Sequence, residues 1–212
     1  MEHLTIIGDS YADPRYKWRE EQWMWMLPYE VEVIAESGVG PRWQLEHLFG
    51  REGEFLLFLL ADHNRLHLPC VEAWDDGVTT AVEAMNVYHY GRMHPIKKQI
   101  CDVHYAYHET GIKDIQADMY AQYILASKFK RILVWPCADV INRERINIPL
   151  TGHVVEKPLC QISDLEQSSN HFSSANHEIF AKQITRYFDY CIAPDPEELI
   201  TNVTFGNFIY DN

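Results

Sequence analysis

The chain lacks any apolar run near the roughly 18 residues that a membrane-spanning helix needs. Its longest apolar stretch, 55–61, has the length of a buried strand. It is also short of positive charge, with 18 Lys and Arg against 31 Asp and Glu and a net charge of −13. Nucleic-acid affinity rests on neutralising phosphates, so this balance argues against a nucleic-acid partner. Lys97-Lys98 and Lys128-Lys130-Arg131 are too short to make a patch. Neither a membrane nor a nucleic acid is therefore expected as a partner. No C-x-x-C pair occurs. The five cysteines (Cys70, Cys101, Cys137, Cys160 and Cys191) are odd in number and read as reduced thiols, not a disulfide framework or a zinc site. There is no G-x-G-x-x-G and no P-loop, which weakens a flavodoxin-like nucleotide-binding reading. Internal repeats and low-complexity tracts are absent as well.

What is present describes an ordinary globular protein. Hydrophobic residues make up 47% and charged residues 23% of 212, enough for one full core. A single domain over 1–212 is expected. The first strand begins within a few residues of Met1, which leaves no room for a cleavable signal peptide. A cytoplasmic protein is the expectation. Assembly into a larger particle needs no signal and stays open beside it.

Strand and helix signals alternate along the chain. Strands are expected at 4–8, 31–35, 55–61 and 131–135. Helices are expected at 14–27, at 42–48 and at 177–190, the last with Ile179, Phe180, Ile184, Tyr187 and Phe188 at helical spacing. Asp13-Pro14 reads as the N-cap and first turn of the first helix. Such alternation implies a parallel sheet with helices on both faces. The stretch 66–128 shows no convincing core strand. Its part at 70–112 reads as a helical cap or insertion, and 116–129 as a helix leading into the fourth strand. The tail, 193–212, is expected to pack back on the body or to meet a partner.

Leu4-Thr5-Ile6-Ile7 breaks at Gly8 and delivers Asp9 and Ser10 into the following turn. A strand, a tight turn, an exposed serine and a helix start are how α/β enzymes present a nucleophile. A helix N-terminus nearby favours a developing oxyanion. The plainer reading of Ser10 is a helix cap. Two more loops fall after strands: Ser37-Gly38-Val39-Gly40 after the second, and Asp62-His63-Asn64-Arg65 after the third. Ligands of parallel sheets bind beyond the carboxyl ends of the strands, where all three loops lie. The plainer readings are positive-φ glycines and a turn-forming asparagine. Asn170-His171-Phe172-Ser173-Ser174-Ala175-Asn176-His177 runs into the last helix and supplies a base for a serine hydroxyl.

Taken together, these blocks resemble the SGNH hydrolases, the GDSL esterase/lipase family. Gly8-Asp9-Ser10 is similar to the nucleophile block. Gly40, with Gly38 as the alternative, resembles the oxyanion glycine. Asn64 stands where the family has its oxyanion asparagine, and His171-Phe172-Ser173-x-x-Asn176 resembles the histidine block. The resemblance covers roughly 1–65 and 130–190. It implies a three-layer α/β/α sandwich with a central parallel sheet, the flavodoxin-like SGNH fold, plus a helical insertion. It further implies a serine esterase without metal or cofactor. Ser10 would be the nucleophile and His171 the base, with the Ser10 and Gly40 N–H groups and Asn64 forming the oxyanion hole. Asp9 and Arg65 are the candidate substrate contacts. The chain departs from the family at Ser168, where an acid normally precedes the histidine by three residues. Asp164 and Glu166 are the candidate replacements, and a Ser-His dyad is the other alternative.

The expected substrate is an acyl ester, acetyl first, on a carbohydrate or other small molecule. The layout also resembles SGNH-like proteins of tailed bacteriophages, which raises an oligomeric or virion-associated role. The competing expectation is a catalytically silent SGNH-like domain used for binding or assembly. His104, His108 and Glu109 have helical metal-ligand spacing but lack the zincin glutamate, so no metal is expected. Tyr88, Tyr90, Tyr105 and Tyr107 could stack on a sugar, although tyrosine stripes more often serve packing.

Overall fold

The computed structural model describes residues 1–14, 22–36, 39–61, 66–67, 84–85, 99, 122–124, 127–137, 152–159 and 174–201. Five strands form one parallel sheet: β1 (His3–Gly8), β2 (Glu30–Ala35), β3 (Glu52–Leu60), β6 (Lys128–Pro136) and β7 (Gly152–Val154). Their order is β2-β1-β3-β6-β7. The short strands β4 (Leu66–His67) and β5 (Ala84–Met85) pair antiparallel in a separate small sheet. The helices are α1 (Pro41–Leu48), α2 (Ser174–Tyr190) and α3 (Pro196–Thr201).

Why these segments pair in parallel is visible in β3 and β6, the central strands. Successive side chains of a strand point to opposite faces, and a parallel sheet buries both. Phe55, Leu57 and Leu59 therefore join Leu133 and Trp135 in one apolar cluster, with Phe180, Ile184 and Phe188 of α2. Leu56, Phe58 and Leu60 join Ile132 and Val134 in a second cluster, with Leu45 and Leu48 of α1 and with Ile124. The general α/β class follows from this pattern. No helix among the described residues is long and apolar enough to cross a membrane.

Several boundaries differ from expectation. β3 and β6 begin earlier, because Glu52, Glu54, Lys128 and Lys130 extend the ladder with charged, solvated side chains, paired Lys130–Glu54 at 2.9 Å. Phe129 thus belongs to β6 and not to the preceding helix, of which 122–124 are described. Expected α-helix at 14–27 is replaced at its end by a single 3-10 turn, Trp23–Met26, flanked by extended Gln22 and Leu27. Leu27 precedes Pro28, and a residue before proline avoids helical geometry. Residues 15–21 lie outside the described set. β7 was not expected; three residues carry too short a pattern to register. Of 70–112, Ala84–Met85 and Gln99 are described, so the cap reading falls outside the described residues. The tail packs back at least as far as α3, where Leu199 is fully buried and Glu197 pairs with Lys157 at 2.8 Å.

Candidate functional site

β1 lies between β2 and β3, so the chain runs outward from β1 to β2 and then crosses back to β3. Such a reversal point, here at the carboxyl ends of β1 and β3, is the usual ligand position in parallel sheets. The turn leaving β1 is tight. The Ala12 N–H donates to the Asp9 carbonyl at 3.0 Å, and the Tyr11 N–H to Asp9 Oδ1 at 3.1 Å. Gly8 is needed for close approach: a Cβ there would stand 3.0 Å from Ala12 Cβ and 3.4 Å from Leu59 Cβ.

Ser10 sits within this turn and is buried, 8% exposed, where an exposed serine was expected. Its hydroxyl is buried and has no hydrogen-bond partner among the described residues. Leaving a buried polar group unsatisfied costs about 1–3 kcal/mol, so such groups ask for an explanation. Asp9, expected as a substrate contact, is 1% exposed. Its Oδ1 also accepts from the thiol of Cys137 at 3.3 Å, so these contacts hold the turn from within.

Gly40 caps α1 at φ −108 and ψ 179, with Pro41 in the first turn. This is ordinary extended backbone, so the plainer reading of Gly40 as a positive-φ glycine does not apply. The position of the loop is set by Gln44, which is fully buried. Its Nε2 donates to the Leu59 carbonyl at 2.6 Å, and its Oε1 accepts from the Ala61 N–H at 2.9 Å. The reason is geometric. The register of β1 with β3 ends at Ile7↔Phe58, where β1 turns away. Leu60 bonds toward the β6 side, through Cys137 N–H at 2.8 Å. Leu59 and Ala61, one residue either side, face the opposite way, into the gap left by β1. The Gln44 amide supplies the missing rung and fixes α1 to the end of β3.

The start of α2 is tied to the same turn through Trp23. The indole N–H donates to the Tyr11 carbonyl at 2.9 Å, and the Trp23 backbone N–H donates to His177 Nδ1 at 3.3 Å. The Trp23 ring also meets Phe180 edge-on at 4.8 Å. The chain therefore enters α2 beside the Ser10 turn. Ser10, Gly40 and the exit of β3 are brought to one end of the sheet. Gly38, Asn64, Arg65, Asp164, Glu166, Ser168 and His171 lie outside the described residues, as do His104, His108, Glu109 and the tyrosines at 88, 90, 105 and 107. Among the described residues no group of His, Cys, Asp and Glu is placed to hold a metal ion.

Sequence reading missed Gln44, Cys137, Trp23 and His177. Gln44 carried a faint signal, since Pro41, Gln44 and Leu48 share one helical face. Cys137 carried none, because its partner is distant in sequence. A cleft of about 460 Å³ lies at the opposite end of the sheet, lined by Glu2, Glu54, Lys130, Arg131 and Asp189 among others. Nearby, the Tyr29 hydroxyl is pushed well above its ordinary range, first by burial and then by its 2.6 Å bond to Asp189. This end holds the starts of β1, β3 and β6, away from Ser10. No known protein-family model matches the chain, and no curated protein matches it significantly.

Proposed function

We propose that the protein is an SGNH-type serine esterase, with the three-layer fold of that class, acting on an acetyl or other short acyl ester. Carbohydrate esters are the first substrates to test. The observation that carries the reading is the Ser10 hydroxyl, which lacks a partner among the described residues and is held in a tight turn at the strand reversal of a parallel sheet. The fixed start of α2 supports His171 as its base, because His171 stands just before that helix in sequence.

In this mechanism Ser10 gives its proton to His171 and attacks the ester carbonyl. The N–H groups of Ser10 and Gly40 and the side-chain amide of Asn64 hold the oxyanion. His171 then protonates the leaving alcohol, and water repeats the sequence on the acyl-enzyme. Asp164 or Glu166 orients His171, or the pair works as a dyad. Arg65 would hold an anionic part of the substrate.

The test compares wild type with Ser10→Ala on p-nitrophenyl acetate, with fluorophosphonate labelling followed by mass spectrometry. A loss of at least about 10³-fold, with the label on Ser10, is expected. Equal rates and no label on Ser10 would sink the proposal. The second reading, a silent domain used in binding or virion assembly, is favoured by the burial of Ser10 and is the conclusion that follows from that negative result.

A further inference from the structure

We infer that Cys137 is a positioning residue for the nucleophile turn, acting through Asp9; this rests on the reading of Ser10 as nucleophile. Cys137 follows directly on β6, and its backbone N–H is anchored to the Leu60 carbonyl at 2.8 Å. Its side chain is 3% exposed, and the thiol donates to Asp9 Oδ1 at 3.3 Å. That same oxygen accepts from the Tyr11 N–H at 3.1 Å. The two donors flank Ser10 in different ways. One comes from the residue after it, and the other from the residue that follows β6, a strand that is not a neighbour of β1. In the sheet order β3 lies between β1 and β6, so the thiol–carboxylate bond is a brace across the end of β3.

The brace answers a mechanical problem. β1 leaves the sheet after Gly8, and a turn beyond the last rung has no ladder to hold it. Asp9 is adjacent to Ser10 along the chain, so its carboxylate direction sets the placement of the Ser10 N–H and Oγ. Small misplacements of a nucleophile lower turnover more than ground-state binding. A cysteine suits the position because its thiol both donates and packs as a small apolar group in the cluster that holds Tyr11, Ala12 and Trp135.

The experiment uses the full chain with Cys137→Ala, Cys137→Ser and Asp9→Asn. Steady-state hydrolysis of p-nitrophenyl acetate should show kcat lowered about tenfold in Cys137→Ala, with KM changed less than about twofold. Cys137→Ser keeps a donor and should recover most of kcat. In infrared difference spectra against Cys137→Ala, the Cys137 S–H stretch should lie at the lowered frequency of a donated hydrogen bond and move up in Asp9→Asn. Unchanged kcat in Cys137→Ala overturns the inference. So does an equal loss in both Cys137 variants with matching loss of melting temperature, which would mark simple packing. If wild type shows no Ser10-dependent hydrolysis, the esterase reading fails. The S–H band then still decides the brace: a shift in Asp9→Asn upholds it, and a fixed band refutes it.

Discussion

Replacing Gln44 with leucine tests the proposed rung between α1 and β3. The volume is nearly kept, so the fully buried site stays filled. What is lost is one donor to the Leu59 carbonyl and one acceptor for the Ala61 N–H. Both backbone groups lie past the last β1–β3 pair, and among the described residues no strand replaces the lost partner. Each orphaned buried group costs about 1–3 kcal/mol, so the pair should cost about 3 kcal/mol after partial relaxation. For a chain of this size that is a fall in Tm of roughly 6–12 °C. Urea unfolding, with equal m-values for both proteins, would measure it. Gln44→Glu should also destabilise, because a carboxylate cannot donate to the Leu59 carbonyl. A Gln44→Leu loss below about 1 kcal/mol would refute the argument, since two orphaned groups cannot cost so little without new partners.

Ser10→Ala should leave stability unchanged or raise it by about 1 kcal/mol, because it removes a buried hydroxyl that has no partner among the described residues; a clear fall in the urea midpoint would mean that the hydroxyl is bonded. Cys191 ends α2 at φ 56, with its N–H on the Tyr187 carbonyl and that of Ile192 on the Arg186 carbonyl. Glycine takes this left-handed cap without Cβ strain, so Cys191→Gly should stabilise by about 0.5–1 kcal/mol in thermal melts, and a destabilised variant would contradict the cap. Burial holds the His153 imidazole below its ordinary value of 6.5. Above that value the ring is neutral in both states. Below it the unfolded chain binds the proton first, so stability falls as pH drops from 6.5 toward the lower folded value. His153→Asn should flatten that part of the stability–pH curve, and an unchanged slope would remove His153 as its cause.

The local pattern sufficed where chemistry and position along the chain coincide. Apolar runs at β1, β3 and β6 are strands because both faces of a parallel sheet are buried, and that requirement is written residue by residue. The helical spacing of Phe180, Ile184 and Phe188 fixes which face of α2 meets the sheet. Gly8-Asp9-Ser10 is legible as a strand ending in a turn, and its glycine is required by contacts that the sequence does not show.

Tertiary structure alone decided how the loops at that sheet end are held. Gln44 reads as a surface helix residue until β1 turns away and leaves two backbone groups facing it. Cys137 reads as a plain core thiol until β6 brings it within reach of Asp9, far away in sequence. His177 reads as a helix residue until Trp23 donates to it and joins the start of α2 to the Ser10 turn. Periodicity records burial, a property of each residue and its near neighbours. A hydrogen bond between distant segments depends on the strand order, β2-β1-β3-β6-β7, which no local pattern carries.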